Sequence, residues 1–489
     1  MKKTRRDAAY CRLQFLGGVR TVTGSSHLLT TPKARVLIDA GLFYGRRADF
    51  YSVNTTFAYA PQQIDALVLS HAHIDHCGNI PTLVKRGLRG RVYATSATRD
   101  LCRLMLADSG HIQEEDARYL KKLAHRARRQ RPRRNVPRPE VPSVPEPLYT
   151  ERDALRAMGK FRPLAYGQRF SVAPDTAVTF YDAGHILGAS VMLIEVRLAA
   201  GTLRLGYAVD LGRKELPMLN EPVVLPDLDY LILESTYGSR THSSVETAKE
   251  TLRDVICRTV ARGGKIVIPA FALERTQEVI YCIARLLEEK AVPPVPIYVD
   301  SPLAIRVTEV FRRNVHYLDE QVRDFVKQGS GPFDFADLHY VQSQFESKAL
   351  NVDKRPMIIL AGSGMCEAGR VLHHLKNNIT ESRNTILVVG YMAKDTLGKR
   401  IVDKEKLVRI YGMEHELNAE VVVINALSGH ADKNDLLRYA READPRQGVF
   451  LVHGDEEETR ALYEALAAEG IAATMPLKDE EVLLRPTCR

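Results

Sequence analysis

The stretch Leu67-Val68-Leu69-Ser70-His71-Ala72-His73-Ile74-Asp75-His76 decides the reading of this chain. An apolar run, Asp65 to Leu69, has the length and composition of a buried strand. Three imidazoles and one carboxylate then fall within six residues. On a helix face His71 and His73, two positions apart, would point away from each other. In a loop leaving the strand end the cluster can split, His71 and His73 toward one metal, Asp75 and His76 toward a second. Imidazole and carboxylate without thiolate suit catalytic zinc that keeps an open position rather than a closed structural site. A chance cluster is a poor competitor, because the chain has only 15 histidines in 489 residues and the order HxHxDH is itself specific.

Two metals need more ligands than this cluster supplies. His185, in Asp182-Ala183-Gly184-His185-Ile186-Leu187-Gly188-Ala189, follows a strand and sits in a turn. Asp210, in Val209-Asp210-Leu211-Gly212, again lies at a strand end, where a carboxylate can bridge two cations through its two oxygens. Asp39 has the same position and would orient ligands or water from behind. Each alone has a bland reading as a turn residue. Their recurrence at strand ends changes the weighting.

Length allows two or more domains with sizeable cores. The chain is 45% hydrophobic and 26% charged, as expected of a soluble globular protein that neither spans nor coats a membrane. Its basic N-terminus, Lys2-Lys3-Thr4-Arg5-Arg6, lacks the apolar segment of a signal peptide. Seven scattered cysteines form no CxxC pair, which points to reduced thiols and a cytoplasmic protein. The net charge of +9 has one source. Lys121 to Arg138 holds nine basic and no acidic residues; without them the chain carries 60 Lys+Arg against 60 Asp+Glu. The excess therefore describes that segment and not the body of the protein.

Residues 11 to 43 read as three short strands, and Gly78–Arg86 and Ala97–Leu106 as helices. Residues 124–147 are Arg-rich and then Pro-rich, a surface insertion unable to bury a core. Strands resume at Ala177–Asp182, Ser190–Leu198 and Leu203–Val209, fitting half of an αββα sandwich. From about residue 225, short apolar strands alternate with amphipathic helices, beginning with Tyr230–Glu234. That rhythm predicts a parallel, Rossmann-like sheet. After about residue 400 strands return, Glu420–Asn425 among them. A different domain inserted into a split first domain explains this order. Within the insert, Ala361-Gly362-Ser363-Gly364-Met365 is expected to end a strand and open a helix, offering free N–H groups to an anion. Adjacent His373 and His374 diverge on a helix and read as surface residues.

Leu16-Gly17-Gly18, Thr23-Gly24-Ser25-Ser26-His27, Asp39, HxHxDH, Gly184-His185-Ile186-Leu187-Gly188 and Asp210 together resemble the metallo-β-lactamase half of the β-CASP nucleases. Glu234-Ser235-Thr236-Tyr237-Gly238 resembles that family's motif A, Ser428-Gly429-His430-Ala431-Asp432 its motif B, and Val452-His453-Gly454-Asp455 its motif C. Gly429 stands where Ala is usual and Asp455 where Glu is usual. The resemblance implies an α/β protein, an αββα metallo-β-lactamase sandwich (residues 1–215 and 401–489) split by an inserted Rossmann-like β-CASP domain (residues 216–400).

It further implies two zinc ions per chain. His71, His73, His185 and Asp210 would hold one; Asp75, His76, Asp210 and His453 the other, with Asp75 and Asp39 also among the catalytic carboxylates. His430, steered by Glu234, would be the general acid. Arg275, Lys399 and Arg400 would join Ser363, Gly364 and Met365 as contacts to the RNA backbone. The expected activity is zinc-dependent, endonucleolytic hydrolysis of single-stranded RNA in processing or decay, with a homodimer left open. A DNA nuclease of the same family is disfavoured by His453, since that branch has another residue there. A silent RNA-binding scaffold is disfavoured by the full ligand set. A small-molecule ester hydrolase would need neither Glu234 nor His430. The resemblance does not explain the basic 121–138 segment, which reads either as a solvated loop with no role or as an arm that gathers RNA.

Overall fold

The computed structural model describes residues 10–45, 47–129, 146–327, 331–426 and 428–487. Strand Cys11–Gly17 shows why the first unit is a sandwich: alternate residues Cys11, Leu13 and Phe15 are buried, the period of a strand with one face on a core. Its sheet runs Glu481–Leu484, Cys11–Gly17, Ser26–Thr30, Arg35–Ile38, Ala66–Val68, Arg91–Thr95, Phe161–Leu164. The facing sheet runs Ala473–Thr474, Gly448–Val452, Tyr230–Glu234, Gly201–Ala208, Ser190–Leu198, Thr176–Asp182, Phe170–Ala173. Leu13, Phe15, Val36 and Val68 from one sheet share a core with Phe180, Met192, Ile194 and Phe450 from the other. Helices pack outside, Ser96–Arg129 on the first sheet and Lys433–Ala443 and Glu456–Ala468 on the second.

The third sheet has the order Leu338–Tyr340, Ile297–Asp300, Met357–Ala361, Lys265–Pro269, Thr385–Val389, Glu420–Ile424, every pair parallel. Its central strands are buried throughout, as parallel strands covered on both faces must be. Val371, Leu375, Ile379 and Ile401 close one face over Ile359, Ile386 and Val388. Among the described residues, no helix is long and apolar enough to cross a membrane.

Sheet membership corrects two strand placements. Tyr230–Glu234, expected to open the inserted sheet, is a sandwich strand parallel to both Gly201–Ala208 and Gly448–Val452. Glu420–Ile424, expected in the returning sandwich, is the edge of the inserted sheet beside Thr385–Val389. Short apolar parallel strands carry the same pattern whichever sheet they join, so the junctions could not be read from periodicity. A third correction concerns the helix placed at Ala97–Leu106, which runs from Ser96 to Arg129. Arg, Ala, Lys and Leu are good helix formers, and they continue the helix into the segment taken as an insertion until its first proline, Pro132, comes near. The rest of that segment, 130–145, lies outside the described residues.

His374 is also corrected, from surface to core. It is fully buried, with Nε2 2.7 Å from Asp300 Oδ2 and Nδ1 3.0 Å from Asn351 Oδ1. Arg370 and Ser347 complete the shell around Asp300. His374→Ala would leave a buried carboxylate short of a partner, a loss of about 3 kcal/mol. Denaturant unfolding should register that destabilisation.

Candidate metal centre and active site

Parallel pairing aligns strand ends. Ile38 lies beside Val68, Ala208 beside Leu233, and Glu234 beside Val452. Asp39, the 69–76 segment, Asp210 and His453 all follow these C-terminal ends, so the residues converge although the sequence scatters them. Asp39, Asp210 and His453 leave their strands with φ of 56°, 57° and 50°. Such left-handed backbone costs a non-glycine residue on the order of 1–3 kcal/mol and persists only where the surroundings impose it. The expected loop is partly helical: His73 caps a single turn, Ile74–Cys77, which carries Asp75 and His76.

Hydrogen bonding behind the ligands fixes where their lone pairs point. Asp39, fully buried, accepts from Ser70 N at 2.8 Å, Ser70 Oγ at 2.8 Å, Tyr207 OH at 2.8 Å and His76 Nδ1 at 2.7 Å. Ser70 has spent its one proton on Asp39, so at 3.0 Å it accepts from His71 Nδ1. The Gly429 carbonyl can only accept, so His185 Nδ1, 2.8 Å away, is the donor. His71 and His185 therefore turn an unprotonated Nε2 inward, and His76, with Nδ1 on Asp39, turns its Nε2 the same way. These atoms lie 3.1, 3.4 and 3.6 Å from Asp210 Oδ2, and His453 Nε2 lies 3.0 Å from Asp210 Oδ1. His73 Nδ1 is 3.1 Å from His71 Nε2 and 3.2 Å from His185 Nε2. His453 is backed by Ser25 Oγ, 2.8 Å from its Nδ1.

This donor set fits cations. His76 Nε2 and Asp210 Oδ1 are buried with no hydrogen-bond partner, a costly state unless a metal is their partner. Burial, then the neighbouring imidazoles, pushes His71 and His185 well below the ordinary range, leaving them neutral and able to ligate. Burial pushes the Asp210 carboxyl up to about 7 against the pull of His76. His76 runs the other way: burial lowers it, but Asp210 and Asp39 outweigh that and hold it near 10. The rise at His76 shows that Asp210 and Asp39 favour positive charge beside them. His71, His73, His185 and Asp210 have ligand atoms all within 4.8 Å of one another, as do Asp75, His76 and His453.

Asp210, Glu234 and His430 form a third such group. Glu234 is fully buried and both its oxygens are engaged: Leu211 N donates to Oε1, and His430 Nδ1 lies 3.2 Å from Oε2. That arrangement fits a held imidazole better than a third cation. Burial lowers His430, but Glu234 overrides it and lifts the ring to about 9. His430 keeps its other nitrogen free to give a proton, and its ring stands 4.6 Å from that of His185.

The expected phosphate grip is not built as the sequence suggested. Nine residues separate the strand that closes at Ala361 from helix Val371–Asn378, so Ser363-Gly364-Met365 opens no helix. Ser363 Oγ instead accepts from Glu367 N at 3.2 Å and Ala368 N at 3.3 Å within its own loop. Arg275 pairs with Glu278, though its charge still reaches His73. Lys399 pairs with Asp403 at 2.5 Å and Arg400 with Glu405 at 2.8 Å on exposed surface. Their helix is tied to this loop by Gly398 N on Met365 O at 3.2 Å. Sequence reasoning missed Ser70 and Tyr207, whose only local signal was a polar residue at a strand end and a tyrosine on an inward strand position.

Residues 19–166 match the Metallo-beta-lactamase superfamily, 276–401 the Beta-Casp domain, and 414–476 the Zn-dependent metallo-hydrolase RNA specificity domain. Ribonuclease TTHA0252 of Thermus thermophilus is 37% identical over 461 residues, covering 94% of this chain and 96% of that protein. Transcription termination factor FttA of Methanosarcina mazei is 31% identical over 485 residues, covering 95% of this chain and 71% of that protein. A protein of unknown function from Enterococcus faecalis V583 shares the fold at a TM-score of 0.55 and 14% identity, across 97% of this chain and 100% of that one. With a relative 37% identical matched nearly end to end and every motif in order, the chain belongs to the β-CASP family of RNA-processing nucleases built on the metallo-β-lactamase fold.

Proposed function

We propose that this protein is a two-zinc endoribonuclease that hydrolyses single-stranded RNA, with its cleft between the sandwich and the inserted unit. The carrying observation is the convergence of unpartnered lone pairs on Asp210 beside the Glu234–His430 pair. A ribonuclease among the relatives supports RNA as the substrate. His71, His73, His185 and Asp210 would hold one ion, and Asp75, His76, Asp210 and His453 the other. When bound, the ions supply charge neutralisation at phosphorus and a lowered pKa for the attacking water.

The protein's own groups do the rest. Asp39 and Ser70 fix the tautomers and aim of His76 and His71. Glu234 holds His430 so that its free nitrogen can protonate the leaving oxygen. Arg275, Lys399, Arg400 and the Ser363–Met365 loop would contact the phosphate chain. All these residues come from one chain, so the chemistry does not require the homodimer that the sequence left open. Six described cysteines are free, in keeping with a cytoplasmic location.

Purified protein should carry about two zinc ions per chain. End-labelled RNA should be cut internally, the same-sequence DNA should not, and a chelator should stop cleavage until zinc is restored. Full activity without bound transition metal, or equal cutting of DNA, would overturn the reading.

A further inference from the structure

Glu274, at the start of the helix Arg275–Glu288, has backbone angles of φ 67° and ψ −60°. Arg275 N donates to Leu273 O at 2.9 Å, so Glu274 is the central residue of a γ-turn in its rare, positive-φ form. A glycine would take this conformation without strain; a glutamate does not. Its side chain makes no capping bond to its own helix. It is instead buried, 7% exposed, and leaves the inserted unit altogether, where Oε2 accepts from Leu187 N at 3.0 Å.

Leu187 is two residues beyond His185. Gly184 N donates to Asp182 Oδ1 at 2.9 Å, and Gly188 O accepts from Thr95 Oγ1 and Thr98 Oγ1, both at 2.8 Å. Those anchors belong to the sandwich. The Glu274 bond ties the same loop to the inserted unit. His185 is held at its other side by Gly429 O, so a pull on Leu187 changes the direction of His185 Nε2. A strained backbone and a buried carboxyl are both retained where a glycine would remove the strain.

From this we infer that Glu274 is a positioning residue that couples the seating of the inserted unit to the metal-facing loop around His185. Its importance for catalysis rests on the two-metal ribonuclease reading; the contact itself does not. In this scheme, RNA that draws the inserted unit onto the sandwich also tightens the loop that holds one metal ion.

Three variants separate side-chain reach from backbone strain. Glu274→Gly removes both strain and contact. Glu274→Asp keeps a carboxyl and the strained backbone but is too short to reach Leu187. Glu274→Gln keeps the reach and an accepting oxygen. Amide exchange of the 183–189 segment, measured on the full chain by mass spectrometry, should speed up about 10-fold in the Gly and Asp variants. Zinc loss to a chelator should accelerate about 10- to 100-fold in both, the range for removing an outer partner of a ligand. Their kcat on RNA should fall with little change in KM, and Glu274→Gln should stay within about twofold of wild type on every measure. Wild-type exchange and zinc loss in Glu274→Gly and Glu274→Asp would overturn the coupling. If the ribonuclease reading itself failed, cleavage would be absent in wild type while exchange and zinc loss still decided this inference.

Discussion

Asp210→Ala is expected to abolish both metal retention and RNA cleavage, the largest single effect in the chain. Among the described residues, Asp210 is the carboxylate whose two oxygens face two different ligand sets: Oδ2 stands 3.1 Å from His71 Nε2, and Oδ1 stands 3.0 Å from His453 Nε2. Without it, one set keeps three imidazoles and no carboxylate and the other keeps Asp75 as its sole carboxylate, so both lose the charge that the shared carboxylate supplies. Turnover should fall by more than about 10³-fold, beyond the cost of losing one electrostatic donor. The folded protein without metal should not suffer, because burying that carboxyl is itself unfavourable, as its rise to about 7 shows. Zinc should therefore raise the Tm of wild type through preferential binding to the folded state, and leave the Tm of Asp210→Ala unmoved. An Asp210→Ala protein with wild-type zinc content and cleavage would refute the bridging role.

Much of this centre was legible because its chemistry is local in kind even where it is distant in sequence. HxHxDH, the His185 turn and Asp210 announce themselves as ligand types at the ends of apolar runs, His453 entered only through the family resemblance, and parallel pairing brings such ends to one edge. Other features have no local signature. Tyr207 looks like any inward aromatic until Asp39 is seen 2.8 Å from its hydroxyl. His374 looks like a surface residue until Asp300, 74 positions away, is found against it. Tyr230–Glu234 and Glu420–Ile424 have the pattern of any buried parallel strand, so only hydrogen-bond partners tell which sheet they complete. The glycine-rich Ser363 loop misled for a related reason. Its strand and its helix were both present in the pattern, but nothing in the pattern measured the loop between them.

His430→Ala and His453→Ala are expected to part company on metal content, although the two rings stand only 6.4 Å apart. His453 Nε2 faces Asp210 and its Nδ1 is backed by Ser25, the arrangement of a ligand with its outer support. His453→Ala should lower zinc content at one site and lose activity with it. His430 is arranged differently: its Nδ1 goes to Glu234, whose other oxygen takes the Leu211 amide, so the pair is complete without a cation. His430→Ala should keep about two zinc ions per chain while turnover falls by about 10²- to 10⁴-fold, the contribution of a positioned proton donor. A leaving group that needs no proton tests the assignment from the substrate side. RNA carrying a bridging sulfur at the cut site expels a thiolate, whose thiol has a pKa of about 8.5, far below that of an alcohol, so it departs without a proton. On that substrate His430→Ala should recover most of its lost rate relative to wild type, whereas His453→Ala should recover none. Loss of zinc from His430→Ala with retention in His453→Ala would exchange the two roles, and an equal defect of His430→Ala on both substrates would remove the proton from its job.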